Sequence, residues 1–304
     1  MEPLNDLAEQ IPLDPSTFIG IPLALIGAIF LSLGAQFQHR GVVKVEAHTA
    51  DTLGKGLNGK QLMLLLARPS WVLGTVMLGL AILFQLSSLY FAPIIVVQPL
   101  GAIALVITSI VNSRVNHVEL KRKSITAIIM CVGGVFLFVG VAAFTAVDKP
   151  VTDRQLVVIL IILAVVLAVA GITFVLFRTS IRAIYYVIMA GVLYGFVATL
   201  AKVVLGKIEQ GEFGWLTMLC LIGLLAATAL GAYFVQNAYA SGPPDLVIAG
   251  LTVVDPLVAV VIGIVVLGEA SQAPPWAIVM YVIAGAIAVW GVFQLARNHP
   301  QTRL

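Results

Sequence analysis

Between Trp71 and Ser113 the chain runs for 43 residues without one charged side chain. As a single helix this stretch would be about 64 Å long, twice the thickness of a bilayer's hydrocarbon core. It therefore reads as two membrane spans, with Phe91-Ala92-Pro93 as the hinge between them. No water-soluble fold needs such a run. The composition agrees: 61% of the residues are hydrophobic and 10% are charged, where a soluble domain carries about 25% charged residues.

The same reading gives about nine spans. The others are 17–38, 125–147, 156–177, 183–205 and 275–296, with 213–268 too long for one helix. That last stretch breaks at Ser241-Gly242-Pro243-Pro244-Asp245, where Asp245 is suited to cap the helix that follows. The expected fold class is all-α and polytopic. Residues 1–16 form an extracytoplasmic segment, 38–70 a long cytoplasmic loop with room for a short surface helix, and 297–304 a cytoplasmic tail. The first ten residues hold acids but no Lys or Arg. A signal peptide needs a basic start, so the first apolar segment is expected to remain as a membrane helix.

Orientation follows from the basic residues. Of the 17 Lys and Arg, 13 fall on one side of this topology and only Lys149, Arg154, Lys202 and Lys207 on the other. The rich side is the cytoplasmic one, which puts the N-terminus outside and the C-terminus inside the plasma (inner) membrane.

An internal repeat is legible. Gln98-Pro99-Leu100-Gly101-Ala102 in the third span matches Asp255-Pro256-Leu257-Val258-Ala259 in the eighth. Ile128-Ile129-Met130-Cys131-Val132 before Gly133 resembles Ile278-Val279-Met280-Tyr281-Val282 before Gly285. Glu119 follows Pro99 by 20 residues and Glu269 follows Pro256 by 13, a difference of two helical turns. The units would be 17–147 and 183–296, four spans each. A single linking span, 156–177, inverts the second relative to the first. Inverted units built this way place a site at their interface and expose it to each side in turn.

Asp255 is the principal candidate for that site. A carboxylate deep in a span costs about 2.5–3.5 kcal/mol even on lenient scales, and the adjacent Pro256 frees a backbone carbonyl near Thr252. Three readings fit it: an ion pair, a cation or proton site, or a solvated acid lining a pore; propping open the proline break is the structural alternative. By symmetry Asp255 is expected at the interface of the repeats, opposite Gln98, with Pro99 and Pro256 as paired helix breaks. Lys202, near the outer end of the sixth span, either snorkels to the interface or faces the vestibule as a partner for Asp255 or an anionic substrate. Gln36, Gln85, Tyr233, Gln236, Asn237 and Thr252 are further polar candidates, each open to an interhelical hydrogen bond instead. Gly20, Gly27 and Gly34, and Gly191 and Gly195, mark close helix contacts. Cys131 and Cys220 read as buried thiols. No phosphate-cradling motif and no His pair with metal spacing occurs.

The segment from Tyr90 to Ala102, with Phe37-Gln38-His39-Arg40-Gly41, resembles the NIPA-type magnesium transporter family. Val254-Asp255-Pro256-Leu257 and Leu267-Gly268-Glu269 resemble the repeat ending of the wider drug/metabolite transporter superfamily. The resemblance implies an inverted-repeat transporter with a central cavity. The chain departs from the NIPA-type pattern at Gln98 and Asp255, where Thr more usually precedes the proline. Three functions follow as expectations: a secondary transporter for a small polar metabolite or lipid-linked polar group, a magnesium transporter, or a non-transporting scaffold subunit. An enzyme is not expected, nor a cofactor, nor nucleic acid. The expected partners are the lipid bilayer, the carried molecule or cation, and a second copy of the chain.

The basic-residue asymmetry makes a direct prediction. Cysteines placed at Asn5 and Thr302 should react with an impermeant thiol reagent from outside and inside respectively; equal labelling from one side would overturn the orientation.

Overall fold

The computed structural model describes residues 15–46, 67–115, 122–177, 183–241 and 244–297. Among these residues there is no strand, and nine helices are long and apolar enough to cross a membrane. The protein is an all-α polytopic membrane protein. Its spans are Ser16–Gln38, Pro69–Phe91, Ile94–Val111, Arg122–Thr145, Asp153–Leu176, Ala183–Glu209, Trp215–Ser241, Leu246–Leu267 and Pro275–Leu295.

Local chemistry sets the breaks. Ala92 is extended (φ −141°, ψ 152°) because the ring of Pro93 excludes the helical region for the residue before it. The third span is interrupted once more, at Gly101, because Pro99 cannot donate to the preceding turn. The eighth helix widens into a π-helical turn, Gly263–Leu267, closed by Gly268 in the left-handed region (φ 72°), where glycine is unstrained. Two helices exceed their expected limits. The first continues to Glu46, so the segment read as a loop from residue 38 starts as helix; residues 47–66 lie outside the described residues. The sixth runs to Glu209, which puts both Lys202 and Lys207 on a helix, with Lys207 in the last turn where a cation suits the macrodipole. Glu119 also lies outside the described residues.

The third and sixth spans form the centre, 61% and 67% buried, against 22% for the second, fifth and seventh. Small residues set the packing, as expected where lipid removes any hydrophobic gain from helix association. Gly20, Gly27 and Gly34 lie against Ala92, Phe84 and Gly74 in turn, an antiparallel register of the first helix on the second. The sixth and eighth helices run parallel: Gly191 meets Val254, Gly195 meets Val258, and Gly250 meets Val187. The first and third are also parallel, joined by a Ser32–Thr108 hydrogen bond of 2.8 Å. The fourth and ninth pack antiparallel through reciprocal contacts, Gly134 on Ala284 and Ala288, and Gly291 on Ala127 and Cys131. Cys131 and Cys220 are both fully buried free thiols.

Gly133 and Gly134 are neighbours with opposite surroundings. A Cβ on Gly134 would lie 2.5 Å from the backbone nitrogen of Ala288, whereas one on Gly133 would meet nothing within 4 Å. Gly134→Ala should cost about 1–3 kcal/mol by overpacking. Gly133→Ala should be neutral or stabilising by up to about 1 kcal/mol, since alanine is the better helix former. Thermal unfolding of the two variants in one detergent measures the contrast; equal melting temperatures would show that this crossing is loose.

Candidate functional site

Asp255 sits where the eighth helix lies flat on the sixth. A Cβ on Gly195 would come within 2.9 Å of the Asp255 carbonyl oxygen, and one on Gly191 within 3.4 Å of its amide nitrogen. Only glycine allows that approach. The carboxylate oxygen Oδ1 is buried and makes no hydrogen bond to any described residue. A carboxylate left so is costly, and a proton or a donor group would relieve it. Tyr194, between the two glycines in sequence, packs its ring against Gly231 of the seventh helix.

Beside Asp255 lies a cavity of about 80 Å³ between the third, fourth, eighth and ninth helices. Pro99 and Pro256 both line it, with Val135, Phe138, Val260 and Gly285. The two prolines thus meet, but only Pro99 stands at an interruption: the eighth helix runs unbroken from Pro244 to Ile262 through Pro256, so the break expected there is absent. Thr252 reaches the same wall while its hydroxyl donates to the Ile248 carbonyl, 2.8 Å away. Drug-sized ligands occupy about 300–1,000 Å³, so the space is collapsed. Asp255 and Gln98 are not among its lining residues. Residues 252, 253, 256, 257 and 260 form one face of the eighth helix toward the cavity, and 254, 255 and 258 the face toward the sixth. The expected juxtaposition of Asp255 with Gln98 therefore gives way to a meeting of the prolines. Gln98 itself is buried on the third helix.

The remaining candidates separate by helix face. Gln36 and Gln85 are half-buried, and the Gln85 backbone lies against Gly27 of the first helix. Tyr233 and Gln236 are exposed, and Asn237 donates to the Tyr233 carbonyl of its own helix, 2.8 Å away. The reason is register: the packed stripe of the seventh helix runs through Ala227, Gly231, Phe234 and Ala238, and these three polar residues stand off it. They are corrected out of the interior site.

Lys202 does something neither reading anticipated. It is buried, and its ammonium donates to the carbonyls of Leu89 (2.8 Å) and Ala92 (3.1 Å) and to the Asp148 carboxylate. It neither snorkels nor pairs with Asp255. Next to it, Glu269 is 2% exposed and accepts from the amides of Ile94 and Ile95, each at 2.8 Å. Burial pushes the Glu269 carboxyl up to about 7, against the pull of those two amides and of Lys202. Gly263 makes room for it: a Cβ there would lie 2.8 Å from Glu269 Oε2. The signals were faint. Glu269 showed only as a repeat ending, and Asp148 belongs to no motif in the sequence. Among the described residues no three of His, Cys, Asp and Glu gather into a metal-ligating group.

Comparison with known proteins adds a relative but no family. No family model matches the chain, and no solved structure matches it. An uncharacterized protein of Corynebacterium glutamicum is 24% identical over 286 residues, covering 93% of this chain and 96% of that one. The similarity thus extends over the whole membrane domain.

The two buried lysines should differ on mutation. Lys202 is held by backbone carbonyls and Asp148, so Lys202→Met should destabilise by about 3–5 kcal/mol, as when one partner of a buried pair is removed. Lys207 pairs with Asp153 and Glu212, whose side chains are 71% and 64% exposed. Lys207→Met should therefore cost no more than about 1 kcal/mol. Detergent melting curves check the order, and an equal loss at both sites would refute it.

Proposed function

We propose that the protein is a secondary transporter of the plasma (inner) membrane that moves a small polar metabolite or a lipid-linked polar group by alternating access. The observation that carries the reading is Asp255 Oδ1, buried and unpartnered next to Pro256, where the eighth helix meets Pro99. A protein that only scaffolds others gains nothing from keeping an unsatisfied carboxylate at membrane depth. A carrier uses one to bind a proton, a cation or a donor group of its substrate. The packing supports two inverted units: first on second and sixth on seventh, first parallel to third and sixth parallel to eighth, fourth crossing ninth. The resemblance of Tyr90 to Ala102, and of Val254 to Leu257 with Leu267 to Glu269, to drug/metabolite transporters and their NIPA-type branch supports the same class.

Asp255 is the coupling or substrate residue in this scheme. Thr252, one turn earlier, spends its hydroxyl on the Ile248 carbonyl, so a donor for Asp255 has to come from a proton or the substrate. Gln98, Gln36 and Gln85 are the polar groups through which the first unit could contact a substrate once the cavity opens.

Proteoliposomes test this directly. Wild-type protein should accumulate one or more components of an isotope-labelled polar extract, read by mass spectrometry. Asp255→Asn should insert normally, since its shape is kept and a buried charge removed, yet fall to the level of empty liposomes. Asp255→Asn transporting at the wild-type rate at every pH would make Asp255 structural. Accumulation of Mg²⁺ alone, followed with an entrapped dye, would transfer the function to a magnesium carrier. No flux of any kind would leave the scaffold reading.

A further inference from the structure

At the end of the molecule where the sixth and eighth helices finish, buried polar contacts tie one half of the protein to the other. Lys202 on the sixth helix holds the last carbonyls of the second, at Leu89 and Ala92, and reaches Asp148 in the segment before the fifth. Glu269, just past the eighth, holds the first amides of the third, at Ile94 and Ile95. Its own backbone carbonyl accepts from Val147, and Gln155 on the fifth helix donates to the carbonyls of Val266 and Leu267. The backbone groups used here are those that a helix end leaves unpaired. Beneath them Ala92 and Ile94 to Val97 are fully buried, and deeper still is the collapsed cavity with Val260 on its wall.

Two properties suit these contacts to opening and closing. They join the second and third helices to the sixth and eighth, across the junction that alternating access must part. They also pair groups that water can satisfy when exposed, so the net cost of separation is modest although each bond is strong locally. Gly263 and the π-helical turn are the built part of the device. Without them the Glu269 carboxylate would have no room against the third helix. A π-turn of this kind is a departure from regular helix that commonly marks a functional position.

We propose that Lys202, Asp148 and Glu269 form the gate that seals this end of the transport path, and that the structure is the state closed there. By the basic-residue asymmetry this is the extracytoplasmic end. The assignment rests on the transporter reading, but its test needs no substrate.

A reporter Val260→Cys, in a Cys131→Ala background that keeps the native Cys220, probes the cavity beneath the gate. Right-side-out vesicles are treated with an impermeant maleimide, and each cysteine is followed by peptide mass spectrometry. Ser271→Cys, exposed at the same end, sets the rate for free access. The parent reporter should react far more slowly than Ser271→Cys. Asp148→Asn, whose side chain is 27% exposed, and Glu269→Gln should each speed the reporter at least about tenfold, equivalent to about 1.4 kcal/mol in the closing equilibrium. Cys220, fully buried in the seventh helix, should stay unreactive. A parent reporter already as reactive as Ser271→Cys, unchanged rates in both variants, or an equal rise at Cys220 would each overturn the gate. Unaltered flux in Asp255→Asn would instead sink the transport site and leave this result standing.

Discussion

A bilayer offers no water to an unpaired backbone group, and the architecture of this protein follows from that constraint. Helices satisfy it over most of their length. The difficulty lies at the breaks, and this chain breaks its central helices at Ala92-Pro93, just after Pro99 at Gly101, and at the π-turn before Gly268, while Pro256 is carried inside an unbroken helix. The break at Ala92-Pro93 is met on both sides by side chains from the other half. Lys202 supplies donors to carbonyls at the end of the second helix, and Glu269 supplies acceptors to amides at the start of the third. Charged residues suit the task, because each carries several hydrogen-bonding positions and their opposite signs offset part of the desolvation.

Glycine determines which helices pack backbone to backbone. Where both partners offer small residues, backbones touch and the helices form one body; the sixth and eighth are joined so at Gly191, Gly195 and Gly250. The fourth and ninth are joined through Gly134 and Gly291. Between these pairs lies the cavity of about 80 Å³ with Gly285 on its wall, where a Cβ would find nothing nearer than the Phe138 ring at 3.8 Å. Small residues thus make close contact within the halves and, between the fourth and ninth helices, across them, and the slack is local to the cavity wall at Gly285.

The span count was legible because apolar length is a property of the sequence itself: the charge-free run of residues 71–113 admits only two crossings, and Pro93 can only fall between them. Proline was a less certain guide: Pro22 and Pro256 ride inside unbroken helices, and only Pro93, and Pro99 just before Gly101, stand at breaks that were legible. Partners across the bundle were not. Lys202 finds Asp148 from 54 residues away in a segment with no pattern, and nothing in the spacing points to the carbonyls of Leu89 and Ala92. The faces of Tyr233, Gln236 and Asn237 were equally hidden. The seventh helix is apolar nearly all round, so its packed side is set by Gly231 and Ala238, small residues that hydropathy does not single out. Asp255 shows the limit within one turn of helix. Its chemistry and depth could be read, but whether it faced the repeat interface or the sixth helix depended on the Gly191 and Gly195 contacts.

Those contacts connect the two polar centres mechanically. The sixth helix carries Gly191 and Gly195 against Asp255, and Lys202 two turns further on. The eighth carries Asp255 itself and leads into Glu269. Packed backbone to backbone, the two helices carry both cross-half attachments of the gate, one each. A load that shifts this pair against the second and third helices strains the Lys202 and Glu269 contacts together, so they release as a unit. Asp255 lies in the seam of the same pair. Protonating it or giving it a donor changes the electrostatics of the seam without touching the gate directly, and the pair's rigidity conveys the change about 10 Å along the helix axis to Lys202. In this arrangement the carboxylate inside and the ion pair at the end act on one moving body, which is the physical requirement for a site whose occupancy governs which side is open.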